Sequence, residues 1–319
     1  MWKSMLSPRQ ISPTMATLMI VLATMGFGLV PLFGRAMDNA GFAPLAIAFY
    51  RYLFATVLLL PVLSRLRWTG EKRSAIFWAV ASGLLLAFGW IAYFEALKGV
   101  PVATMGVIYM TYPLFTLLIA TLWLRQVPSF RSILAGLLIV IAGFIALSPT
   151  EVGTDNFQAL LLSFLNPLAL GLSVVVIAEK LAGLSTLEKT GLTTGAGTVG
   201  LLPLLLSLES SALIPGHAAD WMLIVGISIL TLLLPSFFYV VAVPIAGSAR
   251  SAIVGSTELP IVFLFGWLAF GEQVTLSQLV AGALVISAIW MTSVEQRENA
   301  LQEVEIEQIM PSTSVKSEG

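Results

Sequence analysis

Cysteine is absent from this 319-residue chain, histidine occurs once, and charged residues make up only 10% of it. Without cysteine, the protein can form neither disulfides nor thiolate metal sites. The single histidine, His217, rules out histidine-rich metal sites and argues against a serine–histidine hydrolytic centre. The formal net charge of −1 provides no electrostatic footprint for nucleic acid, so no nucleic-acid partner is expected.

Motifs of enzymatic chemistry are missing as well. The sequence has no Gly-Lys-Thr phosphate-binding loop of the kind found in ATP-driven pumps. It has no metal-binding cluster, and the segments between its apolar runs offer no nucleophile paired with a base. We therefore expect a protein that is not an enzyme and needs no cofactor.

Long apolar runs dominate instead. Apolar residues make up 58% of the chain and the mean hydropathy is +0.95, whereas a soluble protein carries roughly 25% charged residues. A membrane-spanning helix needs about 20 apolar residues, because the hydrocarbon core is about 30 Å thick and each residue rises about 1.5 Å. Ten runs meet this length: 14–37, 43–65, 74–98, 101–124, 130–148, 157–181, 188–208, 219–244, 247–270 and 275–293. The sequence predicts an all-α integral membrane protein with about ten transmembrane helices.

Lysine and arginine then indicate the orientation. With the N-terminus inside, the outer loops and span ends hold only Arg35 and Lys98. The cytoplasmic side holds many more: Lys3, Arg9, Arg65, Arg67, Lys72, Arg73, Arg125, Arg131, Lys180, Lys189, Arg250, Arg297 and Lys316. Because cytoplasmic loops carry the excess of positive charge, both termini are predicted in the cytoplasm, in a multi-pass protein of the inner (plasma) membrane surrounded by lipid.

The two halves of the chain match each other in order. Gly26-Phe27-Gly28 corresponds to Gly171-Leu172-Ser173, and Tyr112-Pro113 corresponds to Leu259-Pro260. Each unit holds five predicted helices, and an odd number makes the second copy enter the membrane from the opposite side. Inverted repeats of this kind are typical of secondary transporters, whose substrate site lies near the midplane between the repeats.

The predicted domain organisation follows from this match. A cytoplasmic segment at 1–13 precedes a five-helix repeat at 14–148. A second, inverted repeat at 157–293 is followed by a cytoplasmic tail at 294–319. The acidic, polar composition of that tail predicts disorder.

Several short motifs resemble the drug/metabolite transporter superfamily, specifically its ten-helix branch with two EamA-like repeats. They are Gly26-Phe27-Gly28, Arg51, Glu258-Leu259-Pro260, Gly271-Glu272-Gln273, Gln278 and Gly282. Arg125 stands where the family often has a glutamate in the first repeat, so that glutamate is interpreted as non-essential. Within the branch, the chain as a whole looks most like YddG-type exporters of aromatic amino acids. The resemblance implies a transporter whose partner is a small-molecule substrate.

Two charged residues lie deep in predicted spans. A charge inside the bilayer costs about 2.5 kcal/mol or more, so each needs a reason. Glu258 lies near the middle of the ninth span and Arg51 lies eight residues into the second. They are predicted to hold the ammonium and carboxylate of an amino acid, or a proton. The alternative is a structural ion pair or bonds between helices. Asn166, next to Pro167 in the sixth span, is predicted either to satisfy backbone groups freed by the proline or to touch the substrate.

Aromatic residues form the second set of candidates. Trp90 and Tyr93 are three residues apart on the third helix, Tyr109 and Tyr112 are three apart on the fourth, and Tyr239 follows Pro235 on the eighth. Residues at this spacing share a helix face, and stacking on rings suits aromatic side chains. The alternative for each is ordinary packing in the core or against lipid.

These observations favour a secondary transporter that exports small organic solutes, preferentially aromatic amino acids, by alternating access. Three alternatives stay open: the same fold with another cargo such as cationic drugs or nucleosides, a channel, and a membrane-embedded enzyme or receptor. The sequence leaves energy coupling and oligomeric state open, a monomer among the possible states.

Overall fold

The protein is helical throughout the part of the chain that the structure describes. A computed structural model describes residues 11–66, 69–125, 127–146, 157–181, 183–246, 251, 254–255 and 257–291. The α-helices of these ranges, in chain order, are α1 Pro13–Gly28, α2 Val30–Asn39, α3 Pro44–Leu63, α4 Arg73–Ala96, α5 Val102–Tyr109, α6 Tyr112–Leu124, α7 Phe130–Ala146, α8 Phe157–Ser163, α9 Leu165–Lys180, α10 Thr186–Leu205, α11 Ser210–Leu213, α12 Asp220–Ser228, α13 Leu234–Ala246, α14 Glu258–Phe270 and α15 Leu276–Met291. A 3-10 turn, Gly70–Lys72, precedes α4, and a π-helical turn, Ile229–Leu233, joins α12 to α13.

Many of these helices are long and apolar enough to cross a membrane. Within the described ranges six stretches qualify by length and composition: Pro13–Asn39, Pro44–Leu63, Gly70–Ala96, Val102–Leu124, Phe157–Lys180 and Asp220–Val243. Three shorter apolar helices, Phe130–Ile145, Glu258–Phe270 and Leu276–Met291, accompany them, and α10 lies in the remaining predicted span. The chain is a multi-pass membrane protein; that all ten spans cross the bilayer stays a prediction. Parts of the predicted organisation lie outside the described residues. These are residues 1–10 of the N-terminal segment, the whole predicted tail at 294–319 and most of 247–257.

Prolines break several of these helices. A proline lacks the backbone N–H and clashes with the carbonyl four residues earlier, so it often interrupts or widens a helix just before it, although Pro61 and Pro203 lie inside α3 and α10. Breaks or helix starts precede Pro31, Pro113, Pro167, Pro235 and Pro260. These breaks, which leave backbone polar groups without helical partners, therefore fall inside the predicted spans. Substrate sites of transporters are commonly built at such breaks.

Similar breaks precede Pro113 and Pro260, which the predicted repeat pairs with each other; the repeat itself stays a prediction. Helix α6 starts one residue before Pro113 and α14 starts two residues before Pro260. Both helices also end on a left-handed residue, Arg125 with φ 54° and Gly271 with φ 65°. Glycine adopts that conformation freely, whereas arginine pays a steric cost.

Contacts at the helix ends join residues predicted on the same membrane face. On the predicted cytoplasmic face, Lys72 forms a salt bridge with Glu188 at 3.0 Å. On the opposite face, the Ala43 N–H donates to the Ala212 carbonyl at 3.0 Å. These contacts are what the predicted alternation of helices requires, while the side that faces the cytoplasm stays a prediction.

Single-cysteine labelling checks that orientation without background, because the chain has no cysteine. A His217→Cys variant, exposed between α11 and α12, is expected to react with a membrane-impermeant maleimide on intact cells. The matched Ser64→Cys variant, exposed at the end of α3, should react only after permeabilisation. Labelling of both from the same side would contradict the predicted topology.

Candidate functional site

A small pocket lies where α1 to α5 meet α14. It is lined by Phe27, Val30, Pro31, Arg51, Trp90, Tyr93, Gly106, Tyr109, Met110, Glu258 and Val262. Five of the eight residues predicted from the sequence to bind substrate are thus brought together from α3, α4, α5 and α14. The pocket lies beside the α1–α2 and α5–α6 breaks and the start of α14, which places backbone turns and kinks next to it.

Arg51 is the cation of this pocket. It is only 3% exposed, and its guanidinium carbon lies 3.9 Å from the centroid of the Trp90 ring. Nη1 donates to the Thr231 hydroxyl at 2.9 Å and Nη2 donates to the Thr231 carbonyl at 3.3 Å. A desolvated cation stacked on tryptophan is held by the quadrupole of the ring, worth about 2 kcal/mol or more. The guanidinium is therefore fixed in position at the pocket wall.

Glu258 is the acidic residue of the same pocket. It is the first residue of α14, where the positive end of the helix macrodipole favours a carboxylate. Within the described residues its carboxylate makes no hydrogen bond and no salt bridge, and in particular it forms no ion pair with Arg51. A basic and an acidic side chain thus line one pocket without a direct bond between them.

Aromatic rings form a continuous row along the pocket. Trp90 and Tyr93 have ring centroids 5.1 Å apart, and Tyr109 lies 6.0 Å from Trp90. Tyr112 continues the row 6.1 Å beyond Tyr109. Tyr239 does not line the pocket itself, but its ring lies 6.3 Å from that of Phe27, which does. These spacings are those of edge-to-face and offset aromatic packing.

Asn166 lies elsewhere. Its side chain is 1% exposed, and its amide nitrogen has no hydrogen-bond partner among the described residues. It packs in α9 against Gly89 of α4, where an added Cβ would lie 3.3 Å from the Asn166 Cα. Asn166 is not among the residues that line the pocket.

Two glycines let α14 approach its neighbours closely. A Cβ on Gly28 of α1 would lie 2.8 Å from Cγ2 of Ile261, and one on Gly106 of α5 would lie 2.9 Å from Cγ1 of Val262. Neither distance is tolerated between real atoms, so both positions require glycine unless the helices move apart. The Gly26-Phe27-Gly28 motif thus brings Phe27 to the pocket by close packing of α1 on α14.

A polar cluster closes the end of the bundle that is predicted to face outward. Arg35 donates to the carbonyls of Leu97 at 2.7 Å and Val100 at 3.1 Å, and it lies 3.8 Å from the Glu272 carboxylate. Glu272 in turn accepts from the Val102 N–H at 2.9 Å. This cluster, Arg35 with Glu272, ties α2, α5 and the segment after α14 together above the pocket.

The pocket is tight in this conformation. Its free volume is about 20 Å³, which is enough for about one water-sized molecule. A solute with an aromatic ring can enter only if the surrounding helices separate. A protein built around this pocket must therefore change conformation to bind such a solute.

Several contributors to the site were not anticipated from the sequence, among them Thr231, Met110 and Val262. Met110 and Val262 line the pocket as ordinary apolar side chains, which nothing in the sequence distinguishes from core residues. Thr231 contacts Arg51 across a separation of 180 residues. The one signal for Thr231 in the sequence was its place four residues before Pro235. The Thr231 carbonyl would accept from the backbone N–H of residue 235, and proline has no N–H.

Comparison with known proteins gives the family. A protein of Archaeoglobus fulgidus named "Uncharacterized transporter" is 24% identical over 271 residues, covering 85% of this chain and 93% of the relative. A riboflavin transporter of Brucella anthropi is 28% identical over 260 residues, covering 79% and 89%. An S-adenosylmethionine uptake transporter of Rickettsia felis is 32% identical over 119 residues, covering 37% and 39%.

A protein of known crystal structure shares the fold, with a TM-score of 0.62 at 15% identity over 89% of this chain and 98% of that one. The model of the EamA-like transporter family matches residues 14–148 and 157–294. These two ranges include every residue of the pocket and nearly the whole of the helical part of the chain. The chain therefore belongs to the EamA-like transporter family.

Proposed function

We propose that this transporter exports small organic solutes across the inner (plasma) membrane by alternating access, with aromatic amino acids as its preferred substrates. Arg51 binds the substrate carboxylate and Glu258 binds its ammonium. The rings of Trp90, Tyr93 and Tyr109 contact the aromatic side chain. Tyr112 and Tyr239 extend the aromatic surface on the side of the pocket away from the Arg35–Glu272 cluster.

The observation that carries this proposal is an arginine and a glutamate in one ring-lined pocket, without a direct bond between them. An amino acid carries both complementary charges on adjacent atoms, so it can bridge the two side chains. Buried charges are stabilised when they are paired, and a bridging zwitterion pairs both at once. The row of rings then favours amino acids with aromatic side chains over small aliphatic ones.

The relatives support a second candidate, S-adenosylmethionine. The named cargo of the Rickettsia felis relative also carries an amino-acid head group and a flat ring system, so it fits the same charges and rings. Riboflavin, the named cargo of the Brucella anthropi relative, has a flat ring system but neither of those two charges. The Arg51 and Glu258 pair therefore favours aromatic amino acids and S-adenosylmethionine over riboflavin.

Alternating access in this proposal is a rocking motion of the two five-helix repeats, 14–148 and 157–293, about the pocket. The Arg35–Glu272 cluster joins parts of both repeats and closes the outer end. Opening toward the outside then requires this cluster to separate, which gives the transport cycle a defined barrier on that side.

Flux measurements on proteoliposomes test the proposal. Purified protein is expected to catalyse saturable counterflow of labelled tryptophan, with phenylalanine and tyrosine competing well and riboflavin competing poorly. Liposomes without protein supply the background, and S-adenosylmethionine serves as the rival competitor. Counterflow driven by riboflavin or by cationic drugs but not by tryptophan would contradict the proposed substrate class, and non-saturable flux would indicate a channel.

A further inference from the structure

The Thr231 carbonyl lacks its usual α-helical hydrogen-bond donor because of a proline. In an α-helix this carbonyl accepts from the N–H of residue 235, and that residue is proline, which has no N–H. The helix widens here into the π-helical turn Ile229–Leu233, a feature frequently found at functional sites. The carbonyl that lost its α-helical donor accepts from Nη2 of Arg51 at 3.3 Å.

The Thr231 hydroxyl also accepts a hydrogen bond from Arg51. It donates its only proton to the Ile227 carbonyl, so it faces Arg51 as an acceptor, at 2.9 Å from Nη1. Thr231 is fully buried. Two acceptors of a single residue therefore hold the Nη1–Nη2 edge of the guanidinium.

The result is a guanidinium with one edge bound and one face covered. Trp90 covers one face at 3.9 Å, and Thr231 binds the terminal edge. Nε of Arg51 has no hydrogen-bond partner among the described residues. Arginine forms its strongest contacts with carboxylates through two parallel N–H groups, and the side edge that includes Nε is the one left for an anion.

We propose that Thr231, together with the carbonyl released by Pro235, is the positioning residue that aims the side edge of Arg51 at the carboxylate of the substrate. This inference rests on the proposed function, since it assumes that Arg51 meets a carboxylate. Thr231 itself does not touch the substrate; it acts through Arg51. The eighth span thereby sets the preference for carboxylated solutes over the corresponding amines.

Transport kinetics of four proteins test the inference: wild type, Thr231→Val, Thr231→Ser and Pro235→Ala. Losing a hydrogen bond to a charged group weakens binding about tenfold or more, so Thr231→Val is expected to raise the KM for tryptophan about tenfold. The inhibition constant of tryptamine, which lacks the carboxylate, should stay within about twofold of the wild-type value. Thr231→Ser keeps the hydroxyl and should restore the wild-type KM.

Pro235→Ala tests the carbonyl separately. It restores an N–H that can bond to the Thr231 carbonyl within an α-helix, so the KM for tryptophan should rise while the tryptamine constant does not. Pro203→Ala, a matched change inside α10 and outside the pocket, should leave both constants unchanged. Equal losses for tryptophan and tryptamine in Thr231→Val would overturn the inference, since a merely structural role harms both solutes alike.

A second measurement separates this inference from the proposed function. If the wild-type protein moves neither tryptophan nor any other amino acid, the proposed function is wrong. The positioning role is then decided by thermal unfolding in detergent. Thr231→Val is expected to lower the unfolding midpoint of the wild-type protein and to leave that of Arg51→Gln unchanged. Equal shifts in both backgrounds would show that Thr231 does not act on Arg51.

Discussion

Replacing Glu258 by glutamine is expected to raise the KM for tryptophan by roughly ten- to a hundredfold, at every pH tested. The change removes the carboxylate that receives the substrate ammonium, and a hydrogen bond to a charged group contributes about 1.5–3 kcal/mol. It also leaves Arg51 as the only ionisable acid or base with a full charge among the lining residues, so the substrate ammonium has no charged partner there. Counterflow of labelled tryptophan into proteoliposomes measures the effect, with buffers of equal pH on both sides.

Glu95→Gln is the matched control, because Glu95 lies exposed at the end of α4 and pairs with Lys98 at 3.1 Å. It should leave the KM unchanged. Two other outcomes would assign Glu258 a different role. Loss of flux driven by a pH gradient, with exchange retained, would make it a proton carrier. Recovery of transport in a double variant with uncharged residues at 51 and 258 would make the two charges a structural pair.

Trp90→Ala is expected to cost about 2 kcal/mol in transport of every carboxylated substrate, close to thirtyfold in kcat/KM. The ring that covers the Arg51 guanidinium at 3.9 Å would be gone, and the cation would lose its fixed place. Tryptophan should lose a further several-fold, because ring stacking adds about 0.5–1.5 kcal/mol beyond buried area. Flux of tryptophan and of alanine through the same proteoliposomes separates the two contributions.

Trp78→Ala serves as the control for removing an indole. Trp78 also packs against an aromatic partner, Trp123, with centroids 5.5 Å apart, but neither residue lines the pocket. Its replacement should leave the ratio of tryptophan to alanine flux unchanged. Tyr109→Ala should lower the ratio of tryptophan to alanine flux without reducing alanine flux itself. The reason is that the Tyr109 ring packs against Trp90 and does not cover the Arg51 guanidinium. Equal losses of both substrates in Tyr109→Ala would indicate damage to folding.

The sequence predicted the helices and much of the pocket because both depend on local patterns. Apolar runs of sufficient length select helices in lipid, and the prolines mark where those helices break. Trp90 and Tyr93 were predicted to share a face because their spacing fixes it. Buried charge is costly, so Arg51 and Glu258 could be singled out without knowing what lies between them.

The sequence could not show which side chains meet across the bundle. Asn166 was a candidate because it precedes a proline, yet it packs against Gly89 of α4 and does not line the pocket. Arg35 and Glu272 meet although they lie in different halves of the chain, and no helix periodicity or short motif connects them. Thr231 is a similar case, since its partner lies on α3. Contacts of this kind depend on the crossing of helices that are distant in sequence.

The most direct test of the central claim is an experimental structure of the protein with bound tryptophan. We expect an enlarged pocket with the substrate carboxylate at the side edge of Arg51, the ammonium at Glu258 and the indole against Trp90 or Tyr109. The Thr231 contacts to Arg51 should be retained in that complex. Tryptophan bound away from Arg51 and Glu258, or a pocket that stays closed at saturating tryptophan, would contradict the account.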